Sequence, residues 1–190
     1  MRAAYDMCTS TKLKHFTGRG SGFSAGAVYY APFGKLTFFQ PGLMLFIDNI
    51  AVNGETTNEY NKHRYDGNIR TYGLCMPLDF GLNVCNSIVF GLNIYTGPHL
   101  FFNFSAKMIC DDTCFGRTTH INEKLSTPGM ELARALGLGI NICKRWHILA
   151  EGFYGLSDLG KTLMGFEGTE LSNASYLRRA GFSFGVGYNF

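Results

Sequence analysis

Bulky apolar and small or polar residues alternate along almost the whole chain. Near the C-terminus, Tyr188, Val186, Phe184, Phe182 and Ala180 interleave with Gly187, Gly185, Ser183, Gly181 and Arg179. A period of two with unlike faces is the signature of a strand. The same pattern fills 145–157, where Trp146, Ile148, Ala150, Tyr154 and Leu156 oppose His147, Leu149, Glu151, Phe153 and Gly155. In 131–143 Leu136, Leu138, Ile140 and Ile142 oppose Glu131, Ala135, Gly137, Gly139 and Asn141. In 88–104 Phe90, Leu92, Ile94 and Phe102 oppose Asn93, Tyr95, His99 and Asn103. In 68–84 Leu74, Phe80 and Leu82 oppose Cys75, Asp79 and Gly81. Stretches 35–48 and 22–33 follow, and 1–8 sets Ala3, Tyr5 and Met7 against Arg2, Ala4 and Asp6. The pattern predicts about eight strands. The one stretch that imitates a helix, 131–142, holds Gly137 and Gly139 in its interior, where a helix is weakened.

The connections alternate in length. Segments 32–35, 85–87 and 143–145 read as tight turns, whereas 9–21, 49–67, 107–129 and 158–175 read as long polar loops. An even strand number with short turns at one end and long loops at the other is the layout of an outer-membrane barrel. The predicted fold is therefore all-β: an antiparallel up-and-down transmembrane β-barrel, one domain over residues 1–190, its first strand truncated at Met1. The long loops are expected to be extracellular, and both chain ends to lie at the periplasmic, short-turn end.

A soluble lipid-binding barrel shares this periodicity but turns its large apolar side chains inward. Composition decides between the two. The chain has 24 Gly and 17 Phe, and only 16% of its residues are charged, against about 25% in an average soluble chain. With the aromatics inside, water would meet Gly81, Gly91, Gly137, Gly139, Gly185 and Gly187 rather than Lys, Glu and Thr. With the aromatics facing lipid, the glycines make room inside a narrow barrel. The net charge of +3 is dispersed, which argues against nucleic acid as a partner. The first residues, MRAAYDMCTST, lack the apolar core of a signal peptide. A secretory segment is expected to have been removed or to lie upstream of Met1.

The terminal Phe190, with Tyr188, Val186 and Phe184 at alternate positions before it, resembles the assembly signal of outer-membrane barrels. That resemblance implies the barrel-insertion machinery as a partner. "GSGFSAGAVYY", "FFQPGLML", "CMPLDFGL", "IYTGPHLFF" and "LAEGFYGLSDL" follow one another as do strands of the small outer-membrane β-barrel proteins of Bacteroidetes, the PorT-like group. This resemblance spans nearly the whole chain. It departs at Gly42, where the group often carries Glu after Gln-Pro. It implies an outer-membrane location in contact with the lipid bilayer and lipopolysaccharide.

Glu151, Asp79, Arg2, Asp6 and Arg179 fall on the inner face. Charges held away from water are expected to pair, so these residues predict a salt-bridge network that fills the lumen, with Glu151 partnered by Arg179. His99 and His147 also point inward, but no Ser stands in a nucleophile motif. No catalytic residue, cofactor or metal site is predicted. Cys110-Asp111-Asp112-Thr113-Cys114, with His120 beyond it, is the sharpest local motif. Its spacing matches no zinc pattern, and Cys110 and Cys114 are candidates for a loop disulfide or for free thiols. The functional expectation is a non-enzymatic outer-membrane barrel whose long loops serve binding, adhesion or envelope integrity, with no ligand specified. The alternatives are a narrow channel or secretion-associated barrel, a membrane-embedded enzyme modifying lipid A, and a soluble lipid-binding barrel.

Overall fold

The computed structural model describes residues 1–13, 16–57, 62–87, 89–115, 117–125, 129–157 and 178–189, and these are nearly all strand. In chain order the strands are β1 Arg2–Leu13, β2 Phe16–Val28, β3 Ala31–Phe33, β4 Thr37–Thr57, β5 Lys62–Asn86, β6 Phe90–Cys114, β7 Arg117–Leu125, β8 Glu131–Ile142, β9 Trp146–Gly155 and β10 Arg178–Tyr188. The sheet runs β2-β1-β10-β9-β8-β6-β5-β4, and β4 returns to pair with β2. Eight antiparallel strands thus close into a barrel, which removes the open edges of the wall. The short strand β3 leans on the start of β4, and β7 pairs with the far end of β6.

The faces follow the sequence alternation. Along β8, Glu131, Ala133, Ala135, Gly137 and Gly139 are buried while Leu136, Leu138, Ile140 and Ile142 are exposed. Leu136 is 63% exposed and Phe182 62%, so the large apolar side chains form the outer surface rather than a core. Gly137 has a steric reason: a Cβ there would overlap the ring of Tyr95, its cross-strand partner on β6. Gly81 stands in the same relation to Phe38. At the short-turn end, Gly34 takes a left-handed φ of 72° in the turn between β3 and β4. The β8–β9 hairpin turns on Cys143 and Lys144, with φ of 52° and 57°, the backbone of a type I′ turn built without glycine.

Two expectations are corrected, and β6 adds a feature of its own. Segments 9–21, 49–67 and 107–129 are largely strand, not loop. Strand β4 has 21 residues and β5 and β6 have 25 each, whereas a spanning strand needs about 9–11. The excess forms an outer sheet: β4 and β5 stay paired out to Thr57 and Lys62, β5 and β6 to His63 and Cys114, and β7 takes over from β8 as the neighbour of β6. Polar residues do not forbid strand where each backbone group finds a ladder partner. Next, β1 is not confined to 1–8. It pairs from Arg2 with Gly187 to Thr11 with Arg178, and Tyr188 N–H donates to the Met1 carbonyl at 2.8 Å. Finally, the alternation of β6 changes phase. Tyr72 pairs with Ser105 and Gly73 with Asn103, leaving Phe104 as an extra residue. This β-bulge leaves Phe104 exposed, buries Ser105 and Ala106, and turns Lys107 and Ile109 outward. Tyr176, Phe190 and segment 158–175 lie outside the described residues.

Candidate functional site

The lumen holds two charge clusters separated by an aromatic layer. The inner cluster takes one residue from each of four strands. Arg2 Nη2 of β1 donates to Glu151 Oε2 of β9 at 3.0 Å. His99 of β6 has Nδ1 at 3.7 Å from Glu151 Oε1 and Nε2 at 3.1 Å from Asp79 Oδ1 of β5. Asp79 is fully buried. In the outer cluster the Arg179 guanidinium pairs with Asp48 and, at 3.4 Å, with Glu131, which also accepts from the Asn103 amide. Between them lie Phe46, Phe101 and Phe153; Phe46 meets Phe101 edge-on at 5.4 Å. The guanidinium carbon of Arg179 sits 4.8 Å from the Phe46 ring centre and 4.6 Å from that of Phe101, so the cation rests on the aromatic layer. Asp6 is buried beside the hydroxyls of Ser183 and Ser24. The space left among these groups is a cavity of about 30 Å³, the size of a water molecule.

All five inward charges drawn from the sequence are buried, but the expected partnership of Glu151 with Arg179 is replaced by two others. In the β9–β10 register Glu151 stands opposite Ser183. Arg179 lies further along β10 by roughly 13 Å, four residues at strand rise. The tilt of barrel strands instead puts Arg2 within reach of Glu151. Asp48 and Glu131 complete the outer cluster and were not singled out from the sequence. Glu131 sits on the inner face of a stretch with a clear alternation, which was the signal for it. Asp48 ends a run, Leu43-Met44-Leu45-Phe46-Ile47, that is apolar on both faces and conceals which parity points inward.

Among the described residues, Asp79, His99 and Glu151 form the group close enough to be weighed as metal ligands. The two nitrogens of His99 face different carboxylates. The ring therefore bridges the two acids, with one nitrogen toward each. The Cys110–Cys114 disulfide expectation is also corrected. Both residues lie on β6, where Cys110 pairs with Ile121 and Cys114 with Arg117. Four residues of extended strand separate them by roughly 13 Å, beyond the reach of a disulfide, and Cys114 is a free thiol. The β6–β7 pairing instead places His120 opposite Asp111, with Nδ1 to Oδ1 at 2.7 Å and both side chains exposed.

No protein-family model matches the chain, and no curated protein matches it. Among solved structures it is similar to Ail, the attachment invasion locus protein of Yersinia pestis, with a TM-score of 0.43 and 14% identity over 100% of this chain and 95% of that one. The translocator domain of the autotransporter NalP from Neisseria meningitidis gives a TM-score of 0.37 and 11% identity over 100% and 87%.

Proposed function

We propose that this chain is a small integral outer-membrane β-barrel, non-enzymatic, with a filled lumen and an outer sheet that serves as an external binding surface for adhesion or envelope integrity. The observation that carries the reading is the inverted polarity of the barrel: apolar side chains cover its outside and ion-paired charges fill its inside. Hydrocarbon is the solvent in which that arrangement is stable. The rim at the short-turn end agrees with it. Trp146 and Tyr188 meet edge-on at 5.1 Å and Tyr29 is exposed nearby, as in the aromatic girdle at a membrane boundary. The likeness of the strand sequences to small Bacteroidetes barrels supports the same location, with lipopolysaccharide and the barrel-insertion machinery as partners. The water-sized central cavity favours a plug over a channel. Engagement of both His99 nitrogens by carboxylates leaves that ring no free base for hydrolysis.

The reading is tested by refolding the protein into bilayers and following heat-modifiable gel mobility. Orientation is tested with two single-cysteine variants on intact cells, one keeping Cys114 at the tip of the outer sheet and one keeping Cys143 in the β8–β9 turn. A membrane-impermeant maleimide is expected to label the Cys114 variant. Labelling of the Cys143 variant alone would show that the outer sheet faces the periplasm.

A further inference from the structure

The short-turn end of the barrel opens into a cavity of about 700 Å³. Its wall is rich in side-chain amides. Gln40, Asn83, Asn86, Asn93 and Asn141 line it, with His147 beside them. Lys35 and Lys144 add two cations at the rim, Arg2 adds a third that is paired with Glu151, and no Asp or Glu is among the lining residues. The turns around it, 29–36, 83–87 and 142–146, contain no acidic residue either.

Two atoms of the wall point to an occupant. Asn93 Oδ1 and His147 Nε2 have no hydrogen-bond partner among the described residues, although Asn93 is only 3% exposed and His147 only 8%. Both atoms converge over Gly139, where any side chain would overlap the two of them. Buried polar groups in a native protein are ordinarily satisfied. Gly139 makes room for these two side chains to converge, and both of them line the cavity, from which a ligand would satisfy them. The character of the wall narrows the ligand class. Lysines alone would suit any small anion. Amides both donate and accept, so a wall of them suits a molecule dense in hydroxyl and acetamido groups.

We infer that the short-turn mouth is a binding site for a short acidic saccharide. The amide wall takes its hydroxyl and acetamido groups, Asn93 and His147 hold the innermost of these, and Lys35 and Lys144 take its carboxylate. The inference rests on the proposed membrane orientation only in placing this mouth in the periplasm.

The test is calorimetric titration of the full chain folded in detergent micelles. Three probes are used: the disaccharide of N-acetylglucosamine and N-acetylmuramic acid, neutral di-N-acetylchitobiose, and inorganic phosphate. The acidic disaccharide is expected to bind saturably, and the neutral one about tenfold more weakly, because charged hydrogen bonds are the stronger ones. Replacing both rim cations (Lys35→Glu with Lys144→Glu) should erase the preference for the acidic sugar and leave the neutral one unaffected. Asn93→Ala should weaken both sugars, as should Gly139→Ala; where Gly139→Ala fails to fold, Asn93→Ala decides the point. Absence of saturable binding, phosphate binding as tightly as the acidic disaccharide, or an unchanged preference in the rim variant overturns the inference. Heat-modifiable mobility, read on the same samples, reports separately on whether the protein is a folded barrel.

Discussion

The same chemical pair occurs twice in this protein. Inside the barrel His99 meets Asp79 at 3.1 Å, and on the outer sheet His120 meets Asp111 at 2.7 Å. Distance alone ranks the second as the tighter contact. Their surroundings reverse that order. The side chains of His99 and Asp79 are 5% and 0% exposed, against 65% and 54% for His120 and Asp111. Water solvates the outer pair whether or not its members touch, whereas a lone member of the inner pair would be left without solvation. One strand, β6, supplies a member of each pair: His99 within the barrel and Asp111 beyond it.

The largest expected effect is at the inner pair. His99→Ala should cost about 3–5 kcal/mol, because it leaves a buried carboxylate uncompensated, while His120→Ala should cost about 0–1 kcal/mol. Urea unfolding in detergent measures both, and equal losses would break the comparison. A second contrast uses the outward faces. Phe184→Arg, at mid-strand in β10, is expected to cost about 2–4 kcal/mol, the depth-dependent penalty of a cation against hydrocarbon. Ile109→Arg, exposed on β6 beyond the Phe104 bulge, should stay within about 0.5 kcal/mol, as surface substitutions do. Similar penalties at the two sites would move the membrane boundary outward past the bulge. The smallest effect is a gain. Cys143→Asn with Lys144→Gly suits the left-handed turn and should add about 1 kcal/mol. A loss of stability there would mean that the native side chains make contacts worth more than the backbone strain.

Much of this was legible from alternation alone. Side-chain parity along 131–143, 145–157 and the last strand assigned Glu131, Glu151, His147 and Arg179 to the interior, because a one-residue slip would turn each apolar face over. The pairings were not legible. Which inward charges meet depends on the stagger of tilted strands around the closed barrel, and nothing local in the sequence encodes that stagger. The limits of the outer sheet were hidden for a different reason. After Tyr72 the outward face of β5 passes from apolar to Arg70, Asn68, Asp66 and Arg64. In the proposed membrane setting that change marks where lipid gives way to water, and in sequence a polar strand face looks like a loop. On β6 the bulge at Phe104 also shifts the phase, so a pattern followed in strict twos goes wrong from Ala106 onward.

The continuity of β5 and β6 has a mechanical consequence. Each runs from the short-turn end through the wall to the tip of the outer sheet, joined to the other by a ladder interrupted only by local register shifts. A pull on the tip along the strands loads that whole ladder in shear, so many hydrogen bonds resist together instead of opening one after another. Tension on anything held at the tip is therefore carried by the backbone of the barrel itself and, in the proposed membrane setting, delivered into the bilayer without an intervening joint.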